Sequence, residues 1–142
     1  MMQGLEDLAP FASFEEVAYL LLHGRLPDPS EGAEFTEDLA SRRALPQPAM
    51  ALLEEAAAVE APPIDVLRMA APLLGLGRAE DARQDAITSI ACFPTIVGAY
   101  WRIRNGEAPV PVRCDLGHTA YYLHQLSGVE PPPERARALE RT

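Results

Sequence analysis

Three histidines, two cysteines and several adjacent carboxylates are the side chains in this 142-residue chain with the types that acid–base, nucleophilic or metal chemistry needs. Their spacing is largely unhelpful for such work. His23 falls at the end of a predicted helix, where an imidazolium meets the negative end of the macrodipole, so it reads as a capping residue rather than a catalyst. His118 and His124 stand six positions apart on one predicted helix and point to different faces, which prevents joint metal ligation. Cys114 and His118 have an i, i+4 spacing that could seed a zinc site or a thiolate–imidazole pair. Further ligands or an orienting group are then required, and the nearby Asp115 is better used as a helix cap. Cys92 lies in an apolar helical stretch and reads as a small core residue. The adjacent pairs Glu15-Glu16, Glu54-Glu55 and Glu80-Asp81 diverge by about 100° on a helix, which makes them solvated charges rather than acid/base dyads. Arg102 and Arg104 could hold a phosphate, but basic residues in a last helical turn are equally expected for dipole reasons. No glycine-rich phosphate loop, nucleophile elbow or HExxH pattern occurs. On these grounds no catalytic, cofactor-binding or metal-binding residue is assigned, and no cofactor is expected.

The elements that would position these groups are helices punctuated by proline and glycine. Ser13-Phe14-Glu15-Glu16 is a capping box, followed by Phe14, Val17, Ala18, Leu21 and Leu22 at helical spacing and a stop at Gly24. Asp28 caps a second helix with Pro29 at its first position. A third follows Pro48 and runs to Glu60 through Met50 and Leu53. A fourth opens at Pro62-Pro63, and Pro72 should bend or end it early. The longest, from about Asp81 to Arg104, carries two apolar stripes, Ile87/Ile90/Ala91/Val97/Gly98/Trp101 and Ile96/Ala99/Tyr100/Ile103. It needs cover on two sides, and Pro94 should kink it. Asp115 is expected to cap a helix through Ser127 with Leu116, Ala120, Tyr122 and Leu123 on its apolar side. Pro131-Pro132-Pro133 launches a last helix whose buried face should begin at Leu139. No convincing strand alternation is present, so the expectation is one all-α, multi-helical domain over residues 1–142 with about six to seven helices.

Composition narrows the function. Hydrophobic residues make up 48% of the chain, which is globular, and the net charge of −9 disfavours nucleic acid and anionic membranes as partners. The Met1–Asp7 opening lacks a signal-peptide pattern, and Ala86–Trp101 is short of the about 20 residues a membrane span needs. Only two cysteines, neither in a CxxC pattern or a Cys/His ladder, fit a reducing cytoplasm.

The order of segments resembles one family. "LEDLAPFASFEEVAYLLLHGRLP" (Leu5–Pro27) resembles an early large-domain helix of citrate synthases and 2-methylcitrate synthases. "PPIDVLRMAAPLLG" (Pro62–Gly75) is similar to the family's Pro-Met-Asp-Val-Leu-Arg segment. "FPTIVGAYWRIRNG" (Phe93–Gly106) is similar to its Leu-Pro-Thr-Ile-Val-Ala helix ending in Arg-Asn-Gly. "DLGHTAYYLHQLSGVEPPPERARALERT" (Asp115–Thr142) resembles the helix and turn preceding its first catalytic segment. The matches are collinear over nearly the whole chain. The resemblance implies the N-terminal part of the family's large helical domain. It also implies the family reaction, condensation of acetyl-CoA with oxaloacetate to citrate and CoA, in which an aspartate takes a proton from the acetyl methyl and two histidines stabilise the enol and activate the keto acid.

The family's His-Ala-Asp-His-Glu-like and His-Gly-Gly motifs and its catalytic aspartate have no counterpart here, and Met1-Met2-Gln3-Gly4 stands where its opening strands would be. The resemblance therefore implies a chain inactive alone. It would act as one part of a split or hetero-oligomeric synthase, with acetyl-CoA and oxaloacetate bound only once a partner completes the site. The expected contact is the Phe93–Arg104 helix, pairing with a second copy or a second citrate-synthase-like chain. The alternative is a non-enzymatic helical dimerisation or ligand- or partner-binding module derived from the same family, or a piece of a longer protein.

Overall fold

A computed structural model describes residues 12–78 and 81–142. The readings of Met1–Asp7 and of Glu80 lie outside those residues. Seven α-helices and one 3-10 segment are present among the described residues, without a strand. They are α1 (Phe14–His23), α2 (Pro29–Ser41), α3 (Gln47–Ala58), α4 (Pro63–Ala70), the 3-10 segment Ala71–Gly75, α5 (Ala82–Arg104), α6 (His118–Ser127) and α7 (Pro133–Glu140).

Local chemistry accounts for most of the boundaries. Ser13 accepts from the Glu16 amide while the Glu16 carboxylate returns to the Ser13 amide, and Asp28 with Glu31 repeats the device on α2. The Asp81 carboxylate accepts from the Gln84 amide and starts α5. Gly24 and Gly128 end α1 and α6 at φ 77° and 78°, a left-handed conformation that side chains disfavour. Pro72 ends α4 as expected, and the chain tightens into the 3-10 turn instead of unwinding. The third helix starts at Gln47, one residue before Pro48, and ends at Ala58, short of Glu60, whose φ of 53° is left-handed.

α5 is the element around which the others pack, and it stays helical through the buried Pro94. Its first half joins α1 and α2 in a cluster of Ala18, Tyr19, Phe35, Leu39, Ile87 and Ala91. Its second half meets α3, α4 and the 3-10 turn around Leu53, Val66, Leu74, Ile96, Ala99 and Tyr100. α6 covers a further side. The expected two-sided cover is therefore present, although Trp101 stays 53% exposed. α5 is also long and apolar enough to cross a membrane by length and composition, but 56% of that window is buried inside the bundle, as in a core helix.

Three expectations are corrected in the last third. Asp115 does not cap α6. The helix begins at His118 with Gly117 as its N-cap, and Asp115 is held by Arg113 through bonds of 2.9 and 2.5 Å. A guanidinium two residues away offers two charged donors, which outcompete a single backbone amide. The buried face of α6 is His118, Thr119, Tyr121, His124 and Gln125, whereas Leu116, Ala120, Tyr122 and Leu123 are only half-buried. On α7 no residue is buried, and Leu139 stays 41% exposed.

The α5–α6 contact is exceptionally close at Gly98. A Cβ there would stand 2.4 Å from the Gln125 Cβ and 2.9 Å from its carbonyl carbon, so a methyl cannot enter without moving the α6 backbone. Gly98→Ala should therefore lower unfolding free energy by about 2 kcal/mol or more in urea titrations. Gly75→Ala, at a position with nothing within 4 Å and an ordinary φ, should change it by less than about 0.5 kcal/mol.

Candidate functional site

The largest concentration of buried polar groups lies where the start of α1, the α2–α3 connection, α5 and the start of α6 meet. Arg43 is only 1% exposed. Its guanidinium carbon lies 4.3 Å from the Tyr121 ring centroid, and Nη1 donates to the Arg113 carbonyl at 2.9 Å. Nε and Nη2 have no partner among the described residues. Burial pushes the Arg43 pKa down, with Tyr121 and Glu15 opposing, while burial pushes the Tyr121 hydroxyl up. Thr95 donates to the Arg43 carbonyl at 2.8 Å, which leaves it to accept from the Tyr121 hydroxyl at 2.8 Å. Thiols satisfy the adjacent carbonyls: Cys92 donates to Arg42 at 2.9 Å and Cys114 to Ala40 at 3.4 Å. Cys92 and Thr95 thus fix a connection that lies in no helix, while Cys114 holds the last turn of α2.

Glu15 occupies the neighbouring corner. It is 8% exposed, and its Oε1 accepts from the His118 amide at 2.6 Å, so a carboxylate of α1 caps α6 from outside. The reading of Glu15-Glu16 as two solvated charges holds for Glu16 and fails for Glu15. Packing α1 on α6 buries one member of the pair and gives it a helix terminus as partner. The His118 ring stacks on Phe14 with centroids 4.0 Å apart and planes 4° from parallel. Burial pushes its pKa down to about 4, with a smaller upward pull from Glu15, and its Nδ1 has no partner among the described residues.

The other candidates stay apart. His23 sits in the last turn of α1 with its ring 4.1 Å from that of Tyr19. His124 is buried on α6, with Nδ1 lacking a partner among the described residues. Cys114 precedes α6, so the i, i+4 relation to His118 is not realised on a helix, and its thiol is directed to Ala40. Cys92 is the expected core residue, 1% exposed, its thiol pushed up to about 11 by burial. Arg102 folds back onto the following loop, pairing with Glu107 at 3.0 Å and donating to the Ala108 carbonyl at 2.8 Å. Among the described residues no three His, Cys, Asp or Glu groups are placed to hold a metal. Arg43, Thr95, Tyr121 and Gln125 escaped the sequence reading because none belongs to an apolar period or a motif. An arginine without a local acidic partner is the faint signal that was there.

Two open cavities flank this junction. One of about 640 Å³ is lined by Glu15, Glu16, Asp28, Glu37, Ala40 and Cys114. The other, of about 320 Å³, includes Phe14, Phe93, Val97, His118, Tyr122 and Leu139. The chemistry available in the junction is positioning. It offers donors, stacked rings and a helix cap, without a nucleophile bonded to a base.

The buried imidazole gives the junction a pH signature. Its folded pKa of about 4 lies below its ordinary value of 6.5, so the unfolded chain binds the proton more readily. Stability should therefore be fully present above about pH 6.5 and decline as pH falls toward about 4. His118→Phe, which keeps a ring against Phe14, should flatten that limb between about pH 6.5 and 4.5 in denaturant titrations. An unchanged slope would contradict the assignment.

Comparison with known proteins gives this geometry a context. The sequence model of a family described as "Citrate synthase, C-terminal domain" matches residues 3–142. Citrate synthase 2 of Bacillus subtilis (strain 168) is 36% identical over 144 residues, a stretch covering 96% of this chain and 39% of that protein. The 2-methylcitrate synthase of Shewanella oneidensis is 33% identical, with 96% and 37% covered. Among solved structures, citrate synthase from Pyrobaculum aerophilum superposes with a TM-score of 0.86 at 30% identity, over 96% of this chain and 38% of that one. Citrate synthase from Thermotoga maritima gives 0.79 at 34% identity, over 96% and 36%. The chain thus spans less than two-fifths of the length of these relatives, and it belongs to the citrate synthase family.

Proposed function

We propose that this chain is a scaffold portion of a citrate-synthase-related condensing enzyme, whose acid and base groups lie on residues beyond these 142. The reaction would be the family's condensation of acetyl-CoA with oxaloacetate to citrate and CoA. The observation that carries this reading is the close match of fold over 96% of the chain against 38% of the Pyrobaculum enzyme. The chemistry agrees. Removing a proton from a thioester methyl, holding the resulting enol and polarising a ketone require three groups converging within hydrogen-bond reach. The His118 ring is buried against Phe14, the half-buried His23 ring stacks on Tyr19, and His124 is buried further along α6, and no carboxylate is hydrogen-bonded to any of the three imidazoles among the described residues. No catalytic, cofactor or metal role is assigned to them.

A second reading, a helical module that pairs with itself, has one observation in its favour. Phe93 and Trp101 on α5 are 38% and 53% exposed, a large apolar area to leave on one side of the central helix. Light scattering should then report a dimer stable to dilution, and a clean monomer would count against it.

The scaffold reading is tested by co-expression with a citrate-synthase-like chain that carries the histidine-containing segments. Oxaloacetate-dependent release of CoA thiol from acetyl-CoA should appear with the pair and stay at background with this chain alone. Condensation by the isolated chain would sink the proposal, as would a co-purifying pair with none.

A further inference from the structure

Asn105 is the only asparagine in the 142 residues, and a glycine follows it. This dipeptide closes α5. Asn105 is the C-cap at φ −92° and ψ 13°, and Gly106 takes the left-handed turn at φ 76°. The Gly106 amide donates to the Ile103 carbonyl at 3.0 Å and the Glu107 amide to the Arg102 carbonyl at 2.8 Å, the paired bonds of a Schellman cap. The Asn105 side chain adds another, from Nδ2 to the Trp101 carbonyl at 2.7 Å. Arg102 clamps the turn from outside. Its guanidinium pairs with Glu107 at 3.0 Å and donates to the Ala108 carbonyl at 2.8 Å. It also lies against Gly128, where an added Cβ would stand 2.9 Å from Nη1.

An asparagine before glycine carries a reaction of its own. With no Cβ on the following residue, the glycine nitrogen can swing onto the asparagine side chain. The deprotonated Gly106 nitrogen attacks Asn105 Cγ and a C–N bond forms. The Cγ–Nδ2 bond then breaks, and ammonia leaves with the proton that the glycine amide gave up. One water opens the resulting cyclic imide at either carbonyl. Opening at Cγ leaves aspartate, and opening at the main-chain carbonyl leaves isoaspartate, with the backbone rerouted through the side chain. Asn105 is exposed, so water reaches it. The cap opposes the first step. A ψ of 13° nearly eclipses the Gly106 nitrogen with the Asn105 nitrogen, about a third of a turn from Cβ, where ring closure needs it. The attacking nitrogen is engaged by Ile103 and the leaving nitrogen by Trp101.

We propose that Asn105–Gly106 is a self-modification site, where deamidation through a cyclic imide is held off by the α5 cap and proceeds when that cap frays. The product acts back on the structure. A carboxylate at position 105 meets the negative end of the α5 macrodipole and no longer supplies the donor to Trp101. It also competes with Glu107 for Arg102, which ties the end of α5 to the glycine that ends α6. Isoaspartate lengthens the backbone, so the Schellman bonds lose their register. None of this depends on the scaffold function proposed above.

The test incubates the purified chain warm at mildly alkaline pH, with and without guanidinium chloride, and follows Asn105 by peptide mapping and isoaspartate-specific methylation. Aspartate and isoaspartate should both appear at position 105. The reaction should run slower by about tenfold or more in the native protein than in denaturant, because only the open cap reacts. Arg102→Ala should speed the native reaction by about 5–30-fold, and Glu107→Ala should speed it by a smaller factor. Neither should alter the rate in denaturant, where the reacting pair is the same. Circular dichroism establishes that each variant is folded. Glu107 lies in an exposed loop, so its variant decides the matter should Arg102→Ala unfold. Glu55→Ala, exposed on α3 and outside the cap, is the control and should leave the rate unchanged. Equal rates with and without denaturant overturn the proposal. So do native rates that a folded Glu107→Ala and a folded Arg102→Ala leave at the wild-type value, or a product that is aspartate alone.

Discussion

How near α6 can come to α5 determines much of this structure. At Gly98 the two helices touch backbone to side chain, with no room for even one methyl beside Gln125. That approach brings the Tyr121 hydroxyl within 2.8 Å of Thr95, and it holds the Tyr121 ring beneath the Arg43 guanidinium. It also lets the Gln125 amide reach the Pro111 carbonyl at 3.3 Å, which ties the loop before α6 to the helix after it. A larger residue at 98 would lengthen each of these contacts together. Interdigitated interiors respond to added volume by shifting whole elements rather than by compressing.

The buried arginine fits this geometry but is not cheap. Removing a guanidinium from water costs several kcal/mol even after relaxation, and here only one of its nitrogens has a recorded hydrogen bond. The offset comes from the Tyr121 face, a contact worth on the order of 2 kcal/mol when desolvated, and from the charge-assisted bond to Arg113. Such an arrangement favours one packing over others more than it adds stability. That role in specificity is the physical expectation for a group with so few equivalent positions.

Where the sequence was informative, the signal was local. Ser13, Asp28 and Asp81 act within three residues, Pro72 acts on its own turn, and Gly24 and Gly128 need only their own φ. Those rules require no knowledge of neighbouring helices, and the helix order they imply is the one observed. The failures were all tertiary. Asp115 had a stronger partner in Arg113, Glu15 met a helix end distant in sequence, and α6 turned a largely polar face inward. Periodicity marks Leu116 and Leu123 as a buried side because it weighs apolarity alone. It cannot register that α6 faces a glycine, a threonine and a buried arginine, against which tyrosine, histidine and glutamine fit better. The chemistry-bearing residues were legible as types, while their isolation from one another was legible only as unhelpful spacing.

The cap that Glu15 places on His118 joins positions 103 residues apart. α6 has no side-chain cap of its own, whereas α1, α2 and α5 each carry one beside their first turn. Those three helices can begin to form from local sequence alone. The first turn of α6 gains its anion only after about 100 residues of chain have closed into a loop, a step whose entropy must be met by contacts made elsewhere. One carboxylate thereby ties the start of the final third of the chain to its first helix, and that contact can form only once the intervening helices have packed.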